Sequence, residues 1–490
     1  MTDRKIHIRL PEDVHRQLRV QCAYQGTTLQ DYVENLISDQ LTLYGIEDEQ
    51  AIRVKAPATK TATRQGVQQA DDLEARAELE VRYADRIKER EELRWLASYA
   101  PNEAIPFQRW FRYKEAFSHE FPQLALGKIG LKKGSTVLDP FCGSGTVLLA
   151  AREMGYQARG FDLLPLAVLV SRVKLRRPED YDIDRLRERV QEITARKIGE
   201  AVSKFPDIVI LPKAFGPVTR NEILFLRDRL LQERDEATRE FLLLGLLSVM
   251  EEVSHTRKDG LGLKLRKRAS VPHVQEPLKR QLRMMLADLT GALDFSRTTG
   301  SASVTVGDAR KLPLRESSVS AIVTSPPYLN RYDYARIYSL ELSLGFVASF
   351  AELRDLRHSL LRGYIEAKPA TTDYVNWGLL PAVLDRLARM ELNNPNIPTM
   401  IKAYFEDMYV AIGEIARVCR PDGHVALLIG NSRFGGEVIP VDLMLSEIAE
   451  RHGFATEEIW VLHYKGNASQ QMGRYGQQRV RESITFWRKK

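Results

Sequence analysis

Short apolar runs that end at an acid, a glycine or a proline recur along the chain, and two of them have the pattern of a buried strand that leads into a loop. Val137 and Leu138 precede Asp139, a glycine-rich turn and an alanine- and leucine-rich segment at 147–151. Residues 321–323 are apolar and lead into Thr324, a serine and two prolines. A strand, a glycine turn and a helix in this order are typical of a doubly wound α/β sheet.

Other segments complete the sheet pattern. Residues 156–162 and 303–306 have the pattern of strands that end near the acids Asp162 and Asp308. Because the carboxyl ends of parallel strands meet at one sheet edge, both acids and both loops are expected at a single crevice. Three later strands are predicted at 425–430, 458–464 and 483–487, and residues 420–424 are predicted to form a turn. Apolar spacing near 3.6 residues predicts helical insertions at about 165–300 and 329–400.

The loop after residue 323 has the chemistry to hold a flat ring that carries an amino group. Two prolines stiffen the backbone and leave the neighbouring carbonyls free to accept hydrogen bonds. Ser325 Oγ and the Pro326 carbonyl would accept from the amine, and Tyr328 would stack on the ring. An ordinary strand-ending turn is the alternative. A phosphate-binding loop at residues 139–146 is disfavoured because no Lys-Ser or Lys-Thr pair follows the glycines.

Taken together, Asp139-Pro140-Phe141-Cys142-Gly143-Ser144-Gly145-Thr146 and Thr324-Ser325-Pro326-Pro327-Tyr328 closely resemble the amino-methyltransferases of DNA. The resemblance implies a mostly parallel, seven-stranded class I methyltransferase sheet and S-adenosylmethionine as the cofactor. It assigns catalysis to Ser325, Pro326, Pro327 and Tyr328. It assigns cofactor binding to Asp139, Phe141, Gly143, Gly145 and Thr146, with Asp308 beside the adenine, and the spacing of Asp162 suits contact with the ribose hydroxyls.

The serine form of the loop is commoner in cytosine-N4 enzymes of this family, so a flipped cytosine in duplex DNA is the expected substrate. Adenine-N6 methylation, an RNA amino-methyltransferase and a non-catalytic DNA-binding regulator remain alternatives. Residues 107–118 resemble the part that covers the methionine end of the cofactor, with Tyr113 and Ser118 as candidates. Residues 473–475 and 479–483 resemble the C-terminal segment that lies near the substrate in this family. The resemblance assigns no role to any single residue there.

Residues 1–46 have the pattern of one short strand and two helices, which resembles a ribbon-helix-helix DNA-binding module. On that resemblance Lys5, His7 and Arg9 face base edges and the module forms a homodimer; a docking module without DNA contact is the alternative. Residues 47–92 are expected to be a linker and the start of a charged helix that spans about 71–99. The methyltransferase domain is then 93–490.

Charge also favours a nucleic-acid partner. The net charge is +7 and the isoelectric point is near 9.1. A basic, glycine-containing loop at 255–268 ends in Arg266, Lys267 and Arg268. These side chains would contact the phosphates of the DNA backbone, and the insertion that carries them would clamp the duplex or recognise the target sequence. A solvated loop is the alternative.

The remaining features concern compartment and partners. Cys22, Cys142 and Cys419 lie far apart and show no metal-ligand spacing, so no metal site is expected. The most apolar run, residues 241–250, is too short to span a bilayer, and the N-terminus lacks a signal-peptide pattern. A cytoplasmic protein without membrane contact is expected, with a cognate nuclease or defence components as further partners.

Overall fold

The computed structural model describes residues 75–195, 197–259, 262–266, 270–291, 300–465 and 479–490. All of these residues belong to one compact unit. The predicted N-terminal module, with Lys5, His7 and Arg9, lies outside the described residues, as do Lys267 and Arg268.

A single large sheet organises the described chain. Its strands run in the order β1-β11-β12-β8-β7-β2-β3-β6. All neighbouring pairs are parallel except those of β12, which is antiparallel to both β11 and β8. The strands are β1 (Ile87–Glu89), β2 (Thr136–Asp139), β3 (Gln157–Asp162), β6 (Ser301–Val306), β7 (Val319–Thr324), β8 (Cys419–Gly430), β11 (Phe454–Lys465) and β12 (Val480–Lys489). Two small hairpins pair β4 (Thr256–Asp259) with β5 (Gly262–Leu265) and β9 (Ser432–Phe434) with β10 (Glu437–Ile439).

Helices cover both faces and fill the insertions. They are α1 (residues 75–83), α2 (Glu120–Ile129), α3 (Thr146–Glu153), α4 (Pro165–Leu175), α5 (Ile183–Ala195), α6 (Leu211–Ala214), α7 (Pro217–Leu230), α8 (Glu236–Ser248), α9 (Gln275–Gly291), α10 (Tyr334–Ile337), α11 (Ser339–Gly345), α12 (Phe350–Ser359), α13 (Leu380–Ala388), α14 (Ile397–Val418) and α15 (Val441–Arg451). Short 3-10 helices occupy Glu91–Ala97, Ala100–Ala104, Gln108–Trp110 and Pro178–Asp180.

The chain order of the strands creates the crevice that the sequence predicts. From β2 the chain proceeds to β3 and β6 on one side, and then crosses to β7 and β8 on the other. Ligands bind at such a switch point because the loops after the two central strands diverge there. In this protein those loops follow Asp139 and Thr324. The doubly wound, mostly parallel methyltransferase sheet predicted from the sequence is confirmed, with the short β1 as an added edge strand.

Alternating side chains of the central strands pack into cores on opposite faces of the sheet. Leu138 belongs to a buried cluster that includes α14 and α15, whereas Val137 belongs to one that includes α2 and α3. A third cluster unites α4, α5, α7, α8, α9 and α11, so the first insertion has a core of its own.

Three local predictions are wrong. The charged segment expected to be helical over 71–99 leaves the helix after residue 83, because residues 87–89 pair with β11 and 91–97 form a 3-10 helix. The loop predicted at 255–268 contains the β4–β5 hairpin within the first insertion. The turn predicted at 420–424 is the distorted start of β8, where Asp422 has a left-handed φ of 57°.

We predict that Gly160→Ala destabilises the protein. A Cβ at this position in β3 would lie 2.5 Å from Leu148 Cδ1 and 3.0 Å from Cys142 Cβ, so α3 and the glycine turn must shift. The expected loss is about 1–3 kcal/mol in the free energy of unfolding, measured by urea denaturation.

The matched control is Gly127→Ala. Gly127 lies on the exposed side of α2, and a Cβ at this position would have no other atom within 4 Å. Because alanine favours the helix, this variant should be stabilised by up to about 1 kcal/mol. Equal unfolding midpoints for the two variants would contradict the packing argument.

Candidate functional site

The two loops at the crevice are joined by a buried hydrogen bond. The Thr324 hydroxyl donates to Asp139 Oδ1 at 2.6 Å, and the Phe141 backbone N–H donates to the same oxygen at 3.1 Å. Thr324 and Asp139 are 0% and 1% exposed. Burial raises the pKa of Asp139 to about 7, and Oδ2 has no hydrogen-bond partner. Asp139 therefore connects the start of the glycine turn to the start of the proline loop.

A cavity opens beside this bond, between the glycine turn and the proline loop. The acids at the ends of β3 and β6 also reach it. Of the residues predicted from the sequence, its lining includes Phe141, Gly143, Thr146, Asp162, Asp308, Ser325, Pro327 and Tyr113. Asp139, Gly145 and Ser118 do not line it.

Gly145 shapes the turn from behind. Its φ is +79°, and a Cβ would lie 2.8 Å from Ser171 Oγ on α4. The positive φ and the lack of space each require glycine here. Most residues avoid this φ, and Ser171 leaves no room for a Cβ. Ser171 Oγ in turn donates to the Gly143 carbonyl at 2.8 Å.

Asp162 holds the same turn from the cavity side. Its Oδ2 accepts from the Gly143 N–H at 2.9 Å and its Oδ1 from the Leu164 N–H at 2.8 Å. Burial raises its pKa to about 6. The carboxylate thus presents a fixed edge to the cavity.

Asp308 is held by an arginine. Arg310 forms an ion pair with Asp308 at 2.8 Å and another with Asp407 of α14 at 3.1 Å. The Asp308 side chain remains one-third exposed. Arg310 and α14 therefore hold Asp308 in its predicted place beside the cavity.

A second cavity lies on the other side of the proline loop. Pro326 and Tyr328 line it, together with charged side chains from distant parts of the chain. The ring of Tyr328 packs against Gly430, where a Cβ would lie 3.0 Å from Tyr328 Cε2. The Tyr328 hydroxyl donates to Glu482 Oε1 at 2.9 Å, and Glu482 forms an ion pair with Lys465 at 2.5 Å.

Four residues line both cavities: Glu115, Ala116, Ser325 and Tyr334. They border both cavities, and we call them the shared wall. Ser325 was singled out from the sequence, whereas Glu115 and Glu482 were not. Glu482 falls within 479–483, a stretch whose family resemblance pointed to the substrate without naming a residue.

The basic hairpin β4–β5 is anchored beside the second cavity. Lys258 is not a free phosphate contact, because its Nζ forms an ion pair with Glu341 at 2.5 Å and both side chains are nearly inaccessible. Lys258 and Asp259 line the second cavity. Arg266 lies 3.5 Å from Glu251 and is one-third exposed.

Neither a metal centre nor a membrane span is present in the part of the chain that the structure describes. No group of three or more His, Cys, Asp or Glu side chains in these ranges is arranged to hold a metal ion. Within the same ranges no helix has the length and apolar character needed to cross a membrane.

Comparisons with known proteins agree with this site. The family model of N6/N4 DNA methylases matches residues 58–169. The chain is 32% identical over 474 residues to the type II methyltransferase M.BsoBI of Geobacillus stearothermophilus, covering 84% of this chain and 92% of that protein. It is also 32% identical over 450 residues to the type II methyltransferase M.AvaI of a Nostoc species, with the same coverage.

Among solved structures, a TehB-like SAM-dependent methyltransferase of Corynebacterium glutamicum matches with a TM-score of 0.26 and 11% identity, over 76% of this chain and 88% of that one. Both curated relatives match 84% of this chain and 92% of their own length. On this similarity, the chain belongs to the N4/N6 family of DNA amino-methyltransferases.

Proposed function

We propose that this protein transfers a methyl group from S-adenosylmethionine to the exocyclic N4 amine of a cytosine that is flipped out of duplex DNA. The observation that carries the proposal is the shared wall. Two cavities, one beside the glycine turn and one beside Pro326 and Tyr328, meet at Ser325. A methyl donor in the first and a base in the second would be brought into contact there.

The cofactor of the family is S-adenosylmethionine, and the first cavity has the groups to hold it. Asp162 and Asp308 offer carboxylate oxygens to hydroxyl or amino groups, and Phe141 offers an apolar ring. Gly143 lets the turn come close to a ligand, since it carries no side chain. When bound, the cofactor supplies a methyl group already activated by its sulfonium charge.

The proline loop prepares the amine. The lone pair of an aromatic amine is delocalised into its ring, so the nitrogen is a weak nucleophile. Ser325 Oγ and the Pro326 carbonyl accept hydrogen bonds from the amine, which favours a pyramidal nitrogen with more electron density. The Asp139–Thr324 bond fixes the start of this loop, and positioning of the reactants contributes the rest of the rate enhancement.

Tyr328 and Glu482 shape the base side. The Tyr328 ring provides the stacking surface for the flipped base. Its hydroxyl is held by Glu482, which forms an ion pair with Lys465 at 2.5 Å. The ring is therefore fixed in orientation before a base enters.

We predict N4-methylcytosine as the product. Purified protein is incubated with labelled S-adenosylmethionine and either duplex DNA or RNA, and the modified nucleoside is identified after digestion. N4-methylcytosine from DNA alone is expected. N6-methyladenine from DNA would overturn the choice of base, modification of RNA alone would overturn the substrate, and cofactor binding without any transfer would favour the regulator.

We predict that Tyr328→Ala lowers kcat/KM for DNA by about 10- to 100-fold, because stacking of a base on an aromatic ring contributes about 1–3 kcal/mol. Tyr328→Phe is the matched control, since it keeps the ring and loses only the hydrogen bond to Glu482. Its expected loss is about fivefold, from a bond worth about 1 kcal/mol. Equal losses in both variants would argue against stacking, and calorimetric cofactor binding should be unchanged in each.

We also propose that the basic stretch after β5 follows the DNA backbone near the second cavity. The hairpin is held by the buried Lys258–Glu341 pair and by Lys114, which donates to the Lys258 carbonyl at 2.6 Å. We propose duplex DNA as the partner of this stretch. We also propose that the protein forms a homodimer through its N-terminal module and acts beside a cognate nuclease.

Replacing Arg266, Lys267 and Arg268 together by alanine should weaken DNA binding and flatten its salt dependence. For every phosphate that the variant no longer neutralises, the slope of log K against log salt falls by about 0.9, so a change of up to about 2.7 is expected. The measurement is fluorescence anisotropy between low and moderate salt. An unchanged slope would mean that this stretch does not touch phosphates.

A further inference from the structure

Glu115 stands out among the four residues of the shared wall as their one carboxylate. It follows the 3-10 helix Gln108–Trp110 in sequence and reaches the wall from outside the sheet. The proline loop that supplies Ser325 approaches the same wall from the end of β7. Glu115 therefore borders both cavities.

The two carboxylate oxygens of Glu115 have different surroundings. Oε2 accepts a hydrogen bond from the Tyr338 hydroxyl at 2.7 Å. Oε1 is buried and has no hydrogen-bond partner. A buried acceptor without a donor is uncommon in folded proteins and calls for an explanation. A ligand that brings a donor to this oxygen would supply one.

Charged and titratable groups surround Glu115 on several elements. Burial raises its pKa to about 6, while the Tyr338 hydrogen bond and the charges of Lys258 and Lys114 act in the opposite direction. Tyr113 and Tyr334 also face this group, and burial raises the pKa of both well above the ordinary value. Glu341, which pairs with Lys258 at 2.5 Å, and Asp162 across the first cavity complete the surroundings.

This environment suits proton exchange near neutral pH. A carboxyl group that titrates around pH 6 is ionised at pH 8 and still takes a proton readily from a stronger acid. The tyrosines, by contrast, stay protonated and cannot accept. Lys258 is already committed to Glu341. Glu115 is thus the group on the shared wall that is equipped to receive a proton.

We propose that Glu115 is the base that takes the proton released when the amine is methylated. The inference rests on the proposed function. The nitrogen bonds the methyl carbon with its own electron pair, and the carbon–sulfur pair stays on sulfur. As positive charge develops on nitrogen, the N–H bond held by Ser325 Oγ breaks in the same step, with its electron pair kept by nitrogen. The proton bonds to Ser325 Oγ while the hydroxyl proton of Ser325 bonds to Oε1 of Glu115, which returns it to solvent after product release.

The decisive variant is Glu115→Gln, which keeps the volume and lets the amide oxygen accept from Tyr338. Single-turnover methyl transfer is measured with saturating DNA and cofactor from pH 5 to pH 9. In the wild type the rate should rise with pH through about 6 and level off above, because the ionised form is the base. In the variant we expect a rate about 10²-fold lower at pH 8, and no rise centred near pH 6.

A second variant moves the titration without removing the carboxylate. Tyr338→Phe deletes the hydrogen bond that lowers the Glu115 pKa, so the rise in rate should shift to higher pH. The plateau at high pH should be kept. A purely structural role of Glu115 would lower the rate equally at every pH and would leave this profile in place.

An independent readout follows the carboxyl group itself. Infrared difference spectra of the protein labelled with ¹³C-glutamate, recorded through pH 6, should show a carboxylic acid band in the wild type that is missing in Glu115→Gln. Calorimetry with S-adenosylhomocysteine, the neutral cofactor product, should give equal affinities and show that the variant is folded. A band that persists in the variant would overturn the assignment.

The matched control is Glu251→Gln. Glu251 accepts from the Lys258 backbone N–H at 2.9 Å and contacts Lys114 at 3.4 Å, yet it lines neither cavity. Its loss should leave the rate at saturating DNA and the pH profile unchanged. Wild-type rates and profile in Glu115→Gln would overturn the inference alone. Absence of transfer by the wild type would overturn the proposed function, and the inference with it.

Discussion

The geometry of the site depends on the hydrogen bond between Asp139 and Thr324. Their strands are adjacent and parallel, so the loops that follow leave the sheet side by side. Parallel pairing alone places the loops near each other, but their conformations still have to be fixed. The 2.6 Å bond does this at the last residue of each strand, in a position with no access to water. Because the local dielectric is low, this bond is stronger than it would be at the surface.

Burial in the crevice also makes it unfavourable for acids to ionise. Burial raises the pKa of Asp139 to about 7 and that of Asp162 to about 6, so two acids in the crevice are held where ionisation is unfavourable. Asp139 Oδ2 also lacks a partner. Functional sites commonly hold such groups, because an arrangement that is poor for stability is ready to interact with a ligand. A hydrogen-bond donor in the first cavity would relieve Asp162, which lines it.

Buried ion pairs attach the peripheral parts of the chain to this centre. Lys258 and Glu341 connect the β4–β5 hairpin to α11, and Arg481 and Asp442 connect β12 to α15 at 2.7 Å. Arg310 connects Asp308 to α14. Each pair joins segments that are far apart in sequence. Removal of one partner would leave a buried charge, so these contacts fix which surfaces face the two cavities.

Much of the fold and the principal loops could be predicted from local patterns. Strand periodicity located β2, β3, β6, β7, β11 and β12 to within a few residues. For β2 and β7 the signal is a short apolar run, as expected of a buried parallel strand. The 71–99 segment shows the limit of this reasoning. Its composition favours a helix throughout, but the edge of β11 offers backbone hydrogen bonds that residues 87–89 take instead. Intrinsic propensity is weaker than that pairing.

The sequence by itself determined the family, the sheet and the two loops, because their chemistry is carried by consecutive residues around Gly143 and Ser325. Only the tertiary structure decided which other groups share the site. Glu115 and Glu482 lie more than 350 residues apart, each within a stretch that the family resemblance marks without naming either residue. They border the proline loop because sheet order and insertion packing place them there, and burial, which no single residue encodes, raises the pKa of Glu115.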